Sequence, residues 1–160
     1  PKFMKNPTTL ISIQEHDFDI ACEYSKIRKY TQSDGAIVTF TGLVRELTER
    51  GNLHYMELEH YPGMTENSLM KICKKAREIW PIGIINIIHR TGKLTPDEQI
   101  VFVGVSSQHR KAAFASTEYI MDFLKTNAPF WKKEVTVEGE FWVESKSSDK
   151  QKADEWLSSD

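Results

Sequence analysis

Residues 82–106 read IGIINIIHRTGKLTPDEQIVFVGVS, and this stretch decides the fold. It contains two apolar runs rich in β-branched residues, Ile82–His89 and Gln99–Ser106, separated by the turn-forming segment Gly92–Glu98. Such runs, bounded by turn residues, are typical of strands that are buried on at least one face. The short separation makes the two strands a hairpin-like pair, and strands connected in this way are antiparallel.

The rest of the chain is expected to add helices and further strands on both sides of this pair. The expected strands are Thr9–Ile13, Ala36–Thr41, Leu53–Glu59, Trp131–Val137 and Phe141–Val143, the last two forming a C-terminal hairpin around Glu138-Gly139. The expected helices are Asp17–Tyr30, Thr65–Ile79 with Thr65 as its cap, and a third from a cap at Ser106 or Ser107 to about Asn127. A polar loop is expected over residues 45–52. The hairpin-like connections favour an α+β fold, a mainly antiparallel sheet packed with helices in a hammerhead-like arrangement, over a doubly wound parallel sheet.

Length and composition predict one folded domain. The chain has 160 residues, of which 39% are hydrophobic and 28% are charged, as in globular domains. We expect a disordered or expression-derived N-terminus over residues 1–7, the domain over residues 8–146, and a polar tail over residues 147–160 with a short helix near Lys152–Leu157. No apolar run approaches the roughly 18 residues of a membrane span, and residues 1–7 do not resemble a signal peptide. A cytoplasmic protein without a membrane partner is therefore expected.

The sequence does not indicate a metal, a cofactor or a nucleic-acid partner. Cys22 and Cys73 lie far apart without a Cys-x-x-Cys pair, and both are expected to be buried within helices. The histidines show no metal-ligand spacing. The formal net charge of −2 argues against a surface built for nucleic acid, because such domains are usually basic. Any basic site must therefore be local.

The densest local signal is a set of basic residues between positions 109 and 134. At about 100° per residue, Arg110 and Lys125 both fall at the border of the buried face of the predicted third helix. At the helix start, His109 and Arg110 add donors suited to a phosphate to the free backbone N–H groups, although a solvated first turn explains them equally well. Lys125 in the last turn is favoured by the helix dipole, so by itself it has a structural explanation.

Lys132 and Lys133 lie on a predicted strand directly after Phe130-Trp131. Alternation sends Lys132 and Glu134 to one face of the strand and Lys133 to the other. Taken alone, lysines that protect an edge strand are the better explanation. A functional interpretation of this strand therefore needs further support.

Six segments of the chain keep an order and spacing that is far more specific than any single motif. They are 39–45 TFTGLVR, 58–64 LEHYPGM, 89–92 HRTG, 101–105 VFVGV, 109–110 HR and 121–132 MDFLKTNAPFWK. Together they closely resemble the large subunit of molybdopterin synthase, over roughly residues 8–156. The last segment is the most distinctive.

The resemblance implies a sulfur-transfer reaction. In that family a small ubiquitin-like subunit carries a thiocarboxylate on its C-terminal Gly-Gly, and its tail enters a pocket of the large subunit. Two sulfur atoms pass in succession to cyclic pyranopterin monophosphate, which becomes molybdopterin. By position, Lys125 and Lys132 match the catalytic lysines. The positions that match substrate-contacting residues are Leu43, Val44, Arg45, His109, Arg110, Lys125, Lys132, Lys133 and Glu134.

These residue types suit that chemistry. A thiocarboxylate, a phosphate leaving group and a pterin carbonyl all gain from fixed cations in a water-poor pocket, and a lysine with a lowered pKa can also move protons. Neither cysteine lies in an activating sequence context, so the sulfur must come from a separate donor subunit.

The spacing within the third helix raises a geometric problem. Arg110 and Lys125 are fifteen residues apart, which separates their backbones by about 22 Å at the rise of an α-helix. One small substrate can hardly contact both. The simplest solution is a homodimer, in which His109 and Arg110 of one copy complete the pocket that holds Lys125 and Lys132 of the other. With two small subunits, the expected assembly is a heterotetramer.

Two other functions remain open at the level of the sequence. A non-catalytic module that docks a ubiquitin-like protein would use Phe130, Trp131 and the nearby strands as its interface. A small RNA-binding domain would use the basic cluster with Trp131 as a stacking platform, although the chain is acidic and carries no RNP-like or GXXG signature. Sulfur transfer to the pterin separates the first alternative from the enzyme, and steeply salt-dependent RNA binding would support the second.

Overall fold

The computed structural model describes residues 8–31 and 33–143. The strands are β1 Thr9–Gln14, β2 Ala36–Leu43, β3 Leu47–Thr48, β4 Gly51–His60, β5 Ile82–Arg90, β6 Gly92–Leu94, β7 Gln99–Ser107, β8 Phe130–Thr136 and β9 Gly139–Val143. The helices are α1 Ile20–Tyr30, α2 Met64–Ile79 and α3 Arg110–Thr126. The expectations for residues 1–7 and for the tail 147–160 lie outside the described residues. None of the described helices is long and apolar enough to cross a membrane.

The stretch that decides the fold forms the centre of a four-stranded sheet with the order β1-β5-β7-β2. Strands β5 and β7 pair antiparallel, as predicted, while β1 pairs with β5 in parallel. Alternate residues face opposite ways, so Ile85 and Ile87 lie in one core cluster with α2 and α3, and Ile84 and Ile88 lie in another with Ile27 of α1. Both faces are covered by helices, which explains why this stretch is almost continuously apolar.

A second sheet, with the order β3-β4-β8-β9 and β6 paired to β4, carries the C-terminal hairpin. All its pairs are antiparallel, so the described residues confirm the predicted α+β fold with mainly antiparallel sheets. Its core-facing side and Val44, from the segment between β2 and β3, form a third apolar cluster, whose members are Val44, Leu53, Met56, Leu58 and Leu94. Phe130 packs against this cluster and also against the cluster beneath α2 and α3, so it lies at the junction of the two sheets.

Several predicted boundaries are corrected by long-range contacts. The expected loop 45–52 contains β3 and the start of β4, because Leu47 pairs with Asn52. Helix α1 begins after Asp19, whose carboxylate accepts hydrogen bonds from the N–H groups of Ala21 and Cys22. Cys22 is exposed, so only Cys73 is buried as predicted.

The predicted helix caps are also corrected. The hydroxyls of Ser106 and Ser107 donate to Asp34 and to the carbonyl of Pro81, so neither caps α3, and His109 is its N-cap residue. Thr65 lies inside α2, which begins after Gly63. Asn127 ends α3 as predicted, but with a right-handed φ of −118° and not in the left-handed conformation.

Candidate functional site

Lys125 and Lys132 lie on either side of the short connection that joins α3 to β8, residues 127–129. This connection is well fixed. The N–H groups of Asn127 and Ala128 both donate to the carbonyl of Phe123, at 2.9 and 3.2 Å. The carbonyl of Pro129 accepts a hydrogen bond of 3.0 Å from the buried hydroxyl of Thr65 in α2. The two lysines that the family resemblance singles out therefore flank a rigid turn.

The start of β8 is fixed by an aromatic stack between the two sheets. The rings of His89 and Phe130 lie 4.1 Å apart between centroids, with an interplanar angle of 25°. His89 is buried, and its Nδ1 lies 2.9 Å from the carbonyl oxygen of Arg90. Burial is the main cause that lowers the pKa of His89 to about 4. At neutral pH a neutral imidazole therefore packs against the residue that begins β8, two positions before Lys132.

Lys132 and Glu134 share one face of β8, as alternation predicts. Lys132 pairs with Leu58 and Glu134 with Met56, and both of these apolar partners are buried, so this face of β8 is turned toward the third apolar cluster. The Lys132 Nζ lies 3.8 Å from Glu134 Oε2, and the two side chains are 36% and 15% exposed. The lysine therefore has a nearby carboxylate while its side chain still reaches solvent.

Lys133 lies on the opposite face of the same strand. Its Nζ is 3.5 Å from Glu57 Oε2 and 3.7 Å from Glu140 Oε1, and it lies 5.9 Å from the ring centroid of Trp142. Desolvation would lower the pKa of Lys133, but the carboxylates of Glu140 and Glu57 outweigh it and raise that pKa above its ordinary value. The structure therefore does not bring Lys133 to the face that carries Lys132.

The segment Leu43–Arg45 leaves the first sheet where β2 ends. Gly42 is required there, because a Cβ at this position would lie 2.6 Å from Cγ1 of Val101 on β7. The sheet register shifts between Gly42 and Leu43. Val44 is buried in the third apolar cluster together with Leu58, the cross-strand partner of Lys132, whereas Leu43 and Arg45 are exposed. Arg45 thus directly follows a residue that is buried in the same apolar cluster as the cross-strand partner of Lys132.

His109 and Arg110 lie at the other end of α3. Both are exposed, and His109 has an extended backbone with no side-chain hydrogen bond to the first turn. Helix α3 runs without a break from Arg110 to Thr126, so Arg110 and Lys125 of one chain are separated by about 22 Å along its axis. A single chain therefore does not bring these two predicted substrate contacts together.

Sequence reasoning missed the partners of these lysines. Glu57 and Glu140 reach Lys133 only through the pairing of β8 with β4 and β9, and no local pattern reveals that register. The same pairing places Tyr61 against Trp131, with ring centroids 4.4 Å apart. Period-two alternation was the one signal available, and it correctly separated Lys132 from Lys133.

The described residues contain no group of three or more potential metal ligands. A groove of about 830 Å³ lies between β1 and α1, but none of the predicted site residues lines it. Lys125 and Arg45 are exposed on the surface of the isolated chain. The described residues alone therefore do not enclose a water-poor pocket around the two lysines.

Comparison with known proteins identifies the family. A family model described as MoaE protein matches residues 13–127. The molybdopterin synthase catalytic subunit of Vibrio cholerae is 51% identical over 146 residues, which make up 91% of this chain and 97% of that protein. A MoaE protein of molybdopterin biosynthesis from Burkholderia ambifaria has a similar structure, with a TM-score of 0.80 and 46% identity, over 94% of this chain and 99% of that one.

A more distant structure agrees. Molybdopterin synthase from Staphylococcus aureus matches with a TM-score of 0.75 and 34% identity, over 82% of this chain and 95% of that one. The match therefore spans nearly the full length of each relative. On the extent of the family match and the identity to these relatives, the chain belongs to the MoaE family, the family of molybdopterin synthase catalytic subunits.

Proposed function

We propose that this chain is the catalytic subunit of a molybdopterin synthase in the cytoplasm. It transfers two sulfur atoms in succession to cyclic pyranopterin monophosphate, one from the C-terminal thiocarboxylate of each of two small ubiquitin-like subunits that bind in turn. Its family membership supports the reaction class. The observation that carries the assignment to a site is the position of Lys125 and Lys132 on either side of a turn fixed by Thr65 and Phe123.

Lys125 and Lys132 act as fixed cations. The thiocarboxylate and the phosphate both bring negative charge, and a preorganised ammonium stabilises such charge strongly once water is excluded. Glu134 lies close enough to Lys132 to orient it, and the lysine can pass a proton to the phosphate oxygen that leaves when the cyclic phosphate opens. Both cysteines are left out of this chemistry, because the sulfur arrives on the partner's tail.

The substrate surface extends from these lysines to the exposed Leu43 and Arg45. In support of this, Val44 shares an apolar cluster with Leu58, the cross-strand partner of Lys132, and the guanidinium of Arg45 suits bidentate contact with a phosphate. Val44 remains a predicted substrate contact through the family resemblance alone, because its side chain is buried in the third apolar cluster. Lys133 remains a predicted substrate contact through the family resemblance alone, since its ammonium is paired with Glu57 and Glu140 on the opposite face.

Two copies of the chain complete each pocket in this proposal. The length of α3 prevents His109 and Arg110 from reaching a substrate held at Lys125 of the same chain. In a homodimer they belong to the pocket of the other copy, and with one small subunit per pocket the assembly is a heterotetramer. The tail of the small subunit supplies the cover that the exposed lysines lack.

The experiment is single-turnover sulfur transfer, with a thiocarboxylated small subunit and cyclic pyranopterin monophosphate as reactants. Lys125→Ala and Lys132→Ala should each lower the rate by about 100-fold or more, since each removes a preorganised charge from the transition state. Lys74→Ala, which removes an exposed lysine of α2, is the matched control and should leave the rate unchanged.

Binding of the small subunit is measured in parallel, by titration calorimetry. Retained binding with a lost rate supports catalysis by the lysines. Retained binding with an unchanged rate in both lysine variants would instead identify a docking module and contradict the proposal.

A further inference from the structure

The turn 95–98 connects β6 in the second sheet to β7 in the first. Asp97 in this turn has a φ of 72°, in the left-handed region that residues other than glycine adopt at an energetic cost. Such a conformation persists only where surrounding contacts hold it. Backbone hydrogen bonds and the carboxylate of Glu98 together hold this turn.

Glu98 closes the turn on itself and joins it to a buried arginine. Its Oε2 accepts hydrogen bonds from the N–H and the hydroxyl of Thr95, at 2.6 and 3.0 Å. Its Oε1 accepts one of 3.3 Å from Nη1 of Arg90. The backbone N–H of Thr95 is the main cause that lowers the pKa of Glu98, so the carboxylate is charged at neutral pH.

Arg90 is itself fixed by the main chain of two other elements. Only 7% of this residue is exposed. Its Nε and Nη2 donate to the carbonyl of Glu15, at 3.0 and 2.9 Å, and its Nη1 donates to the carbonyl of Gln99 at 2.9 Å. The Arg90–Glu98 pair therefore ties the turn to the ends of β1 and β7.

The same turn holds the segment that precedes Arg45. The N–H of Val44 donates to the carbonyl of Glu98, and the N–H of Asp97 donates to the carbonyl of Val44, each at 2.9 Å. The register between β2 and β7 shifts just before this point. The backbone of Val44 therefore forms its hydrogen bonds with the turn and not with a neighbouring strand. The position of the Arg45 backbone is thus set by the residues that shape the turn.

We infer that Glu98, oriented by Arg90, is a positioning residue that fixes where Arg45 presents its guanidinium to the phosphate of the substrate. This inference rests on the proposed function, in which Arg45 contacts the substrate. Neither Glu98 nor Arg90 touches the substrate. Their effect is on the backbone geometry of residues 43–45, and displacements of about 1 Å in a binding group are enough to weaken substrate positioning severely.

The test compares steady-state kinetics of sulfur transfer in Glu98→Ala, in Arg45→Ala and in the double variant. Glu98→Ala should raise KM for the pterin substrate by about tenfold and change kcat by less than about twofold, because ground-state binding is lost while the lysines stay in place. Glu49→Ala, which removes an exposed carboxylate from the nearby β3–β4 turn, is the matched control and should leave KM unchanged.

The double variant measures whether Glu98 acts through Arg45. If it does, adding Glu98→Ala to Arg45→Ala should raise KM by less than about twofold more, which is strong non-additivity. The inference would be overturned if the rise in KM of the double variant equals the product of the rises in the two single variants. An unchanged KM in Glu98→Ala would overturn it too, even if Arg45→Ala alone weakens binding. An unchanged KM in Arg45→Ala would instead contradict the substrate contact in the proposed function.

A second variant keeps the test valid if Glu98→Ala does not fold. Glu98→Gln retains one oxygen acceptor but presents an NH₂ group to either Thr95 or Arg90, so it disturbs the turn less. It should raise KM by about threefold, between the values for the unsubstituted protein and Glu98→Ala. A general structural defect would lower the thermal midpoint and kcat without this selective rise in KM, and that pattern would refute a positioning role.

Discussion

Adjacent residues of the same type have different surroundings in this protein. Lys132 and Lys133 are neighbours on β8, yet one lies on the face that packs against the third apolar cluster and the other binds two carboxylates on the opposite face. The difference follows from strand geometry, because side chains alternate between the two faces. Charge alone therefore does not distinguish the two lysines, whereas the face of the strand and the neighbouring side chains do.

His89 gives a prediction about stability and pH. Its folded-state pKa of about 4 lies below the ordinary value of 6.5, so between these values the unfolded chain binds more protons than the folded one. The free energy of unfolding should therefore fall as the pH falls through this range, and His89 should account for about 2 kcal/mol of the loss between pH 7 and pH 5. Urea unfolding of His89→Gln at the two pH values should show a loss smaller by that amount.

The comparison controls for other groups that titrate in the same range. His54→Gln removes an exposed histidine of β4. The loss in its free energy of unfolding between pH 7 and pH 5 should match that of the unsubstituted protein. If His89→Gln keeps the full loss of stability between pH 7 and pH 5, the imidazole is not buried in its neutral form against Phe130.

At the scale of elements, one buried hydroxyl joins α2 to the turn between the two lysines. Thr65 is fully buried, and its Oγ1 accepts a hydrogen bond from the N–H of Tyr61 while donating to the carbonyl of Pro129. The sequence assigns this threonine to a helix cap. In the structure its hydroxyl is used for a contact 64 residues away, which no local pattern can reveal.

Replacement of this hydroxyl should affect both stability and turnover. Thr65→Val keeps the volume but leaves two backbone groups in part-buried hydrogen bonds without their partner, so it should lower the free energy of unfolding by about 1–2 kcal/mol. The turn should also move, and sulfur transfer should slow by about threefold or more. Thr65→Ser, which retains the hydroxyl, should keep the rate within about twofold, measured in the same assay. Equal rates in the two variants would show that the hydroxyl does not position the turn.

The elements that local sequence predicts are those with a strong pattern of their own. Strands β5 and β7 were predicted to within a residue or two, because both faces are buried and the residues are β-branched. Strands β3 and β6 have two and three residues and exist only through pairing with β4, so the sequence around them indicates turns. For the site, alternation predicts which residues of β8 share a face. Which of the two faces is turned toward the third apolar cluster depends on the register of β8 with β4.

At the scale of the whole molecule, the length of α3 sets the number of chains needed for one site. Arg110 begins the helix and Lys125 lies in its last turn, with no kink-forming proline or glycine between them. The two residues therefore remain about 22 Å apart whatever the surrounding loops do. If both contact one small substrate, each must come from a different copy.

Mixing two inactive variants tests this arrangement. In a heterodimer of Lys125→Ala and Arg110→Ala chains, one pocket combines the intact Lys125 of one chain with the intact Arg110 of the other, and the second pocket carries both substitutions. Equal amounts of the two chains are refolded together with the small subunit present, so that they associate at random. Half of the dimers are then heterodimers, each with one intact pocket out of two, so about a quarter of the unsubstituted activity should return. The matched control mixes Lys125→Ala with Lys132→Ala, which lie in the same copy, and should restore none. If both mixtures fail equally, Arg110 does not belong to the pocket of the other copy. When each site lies within one chain, every pocket in the mixture carries one substitution and stays inactive.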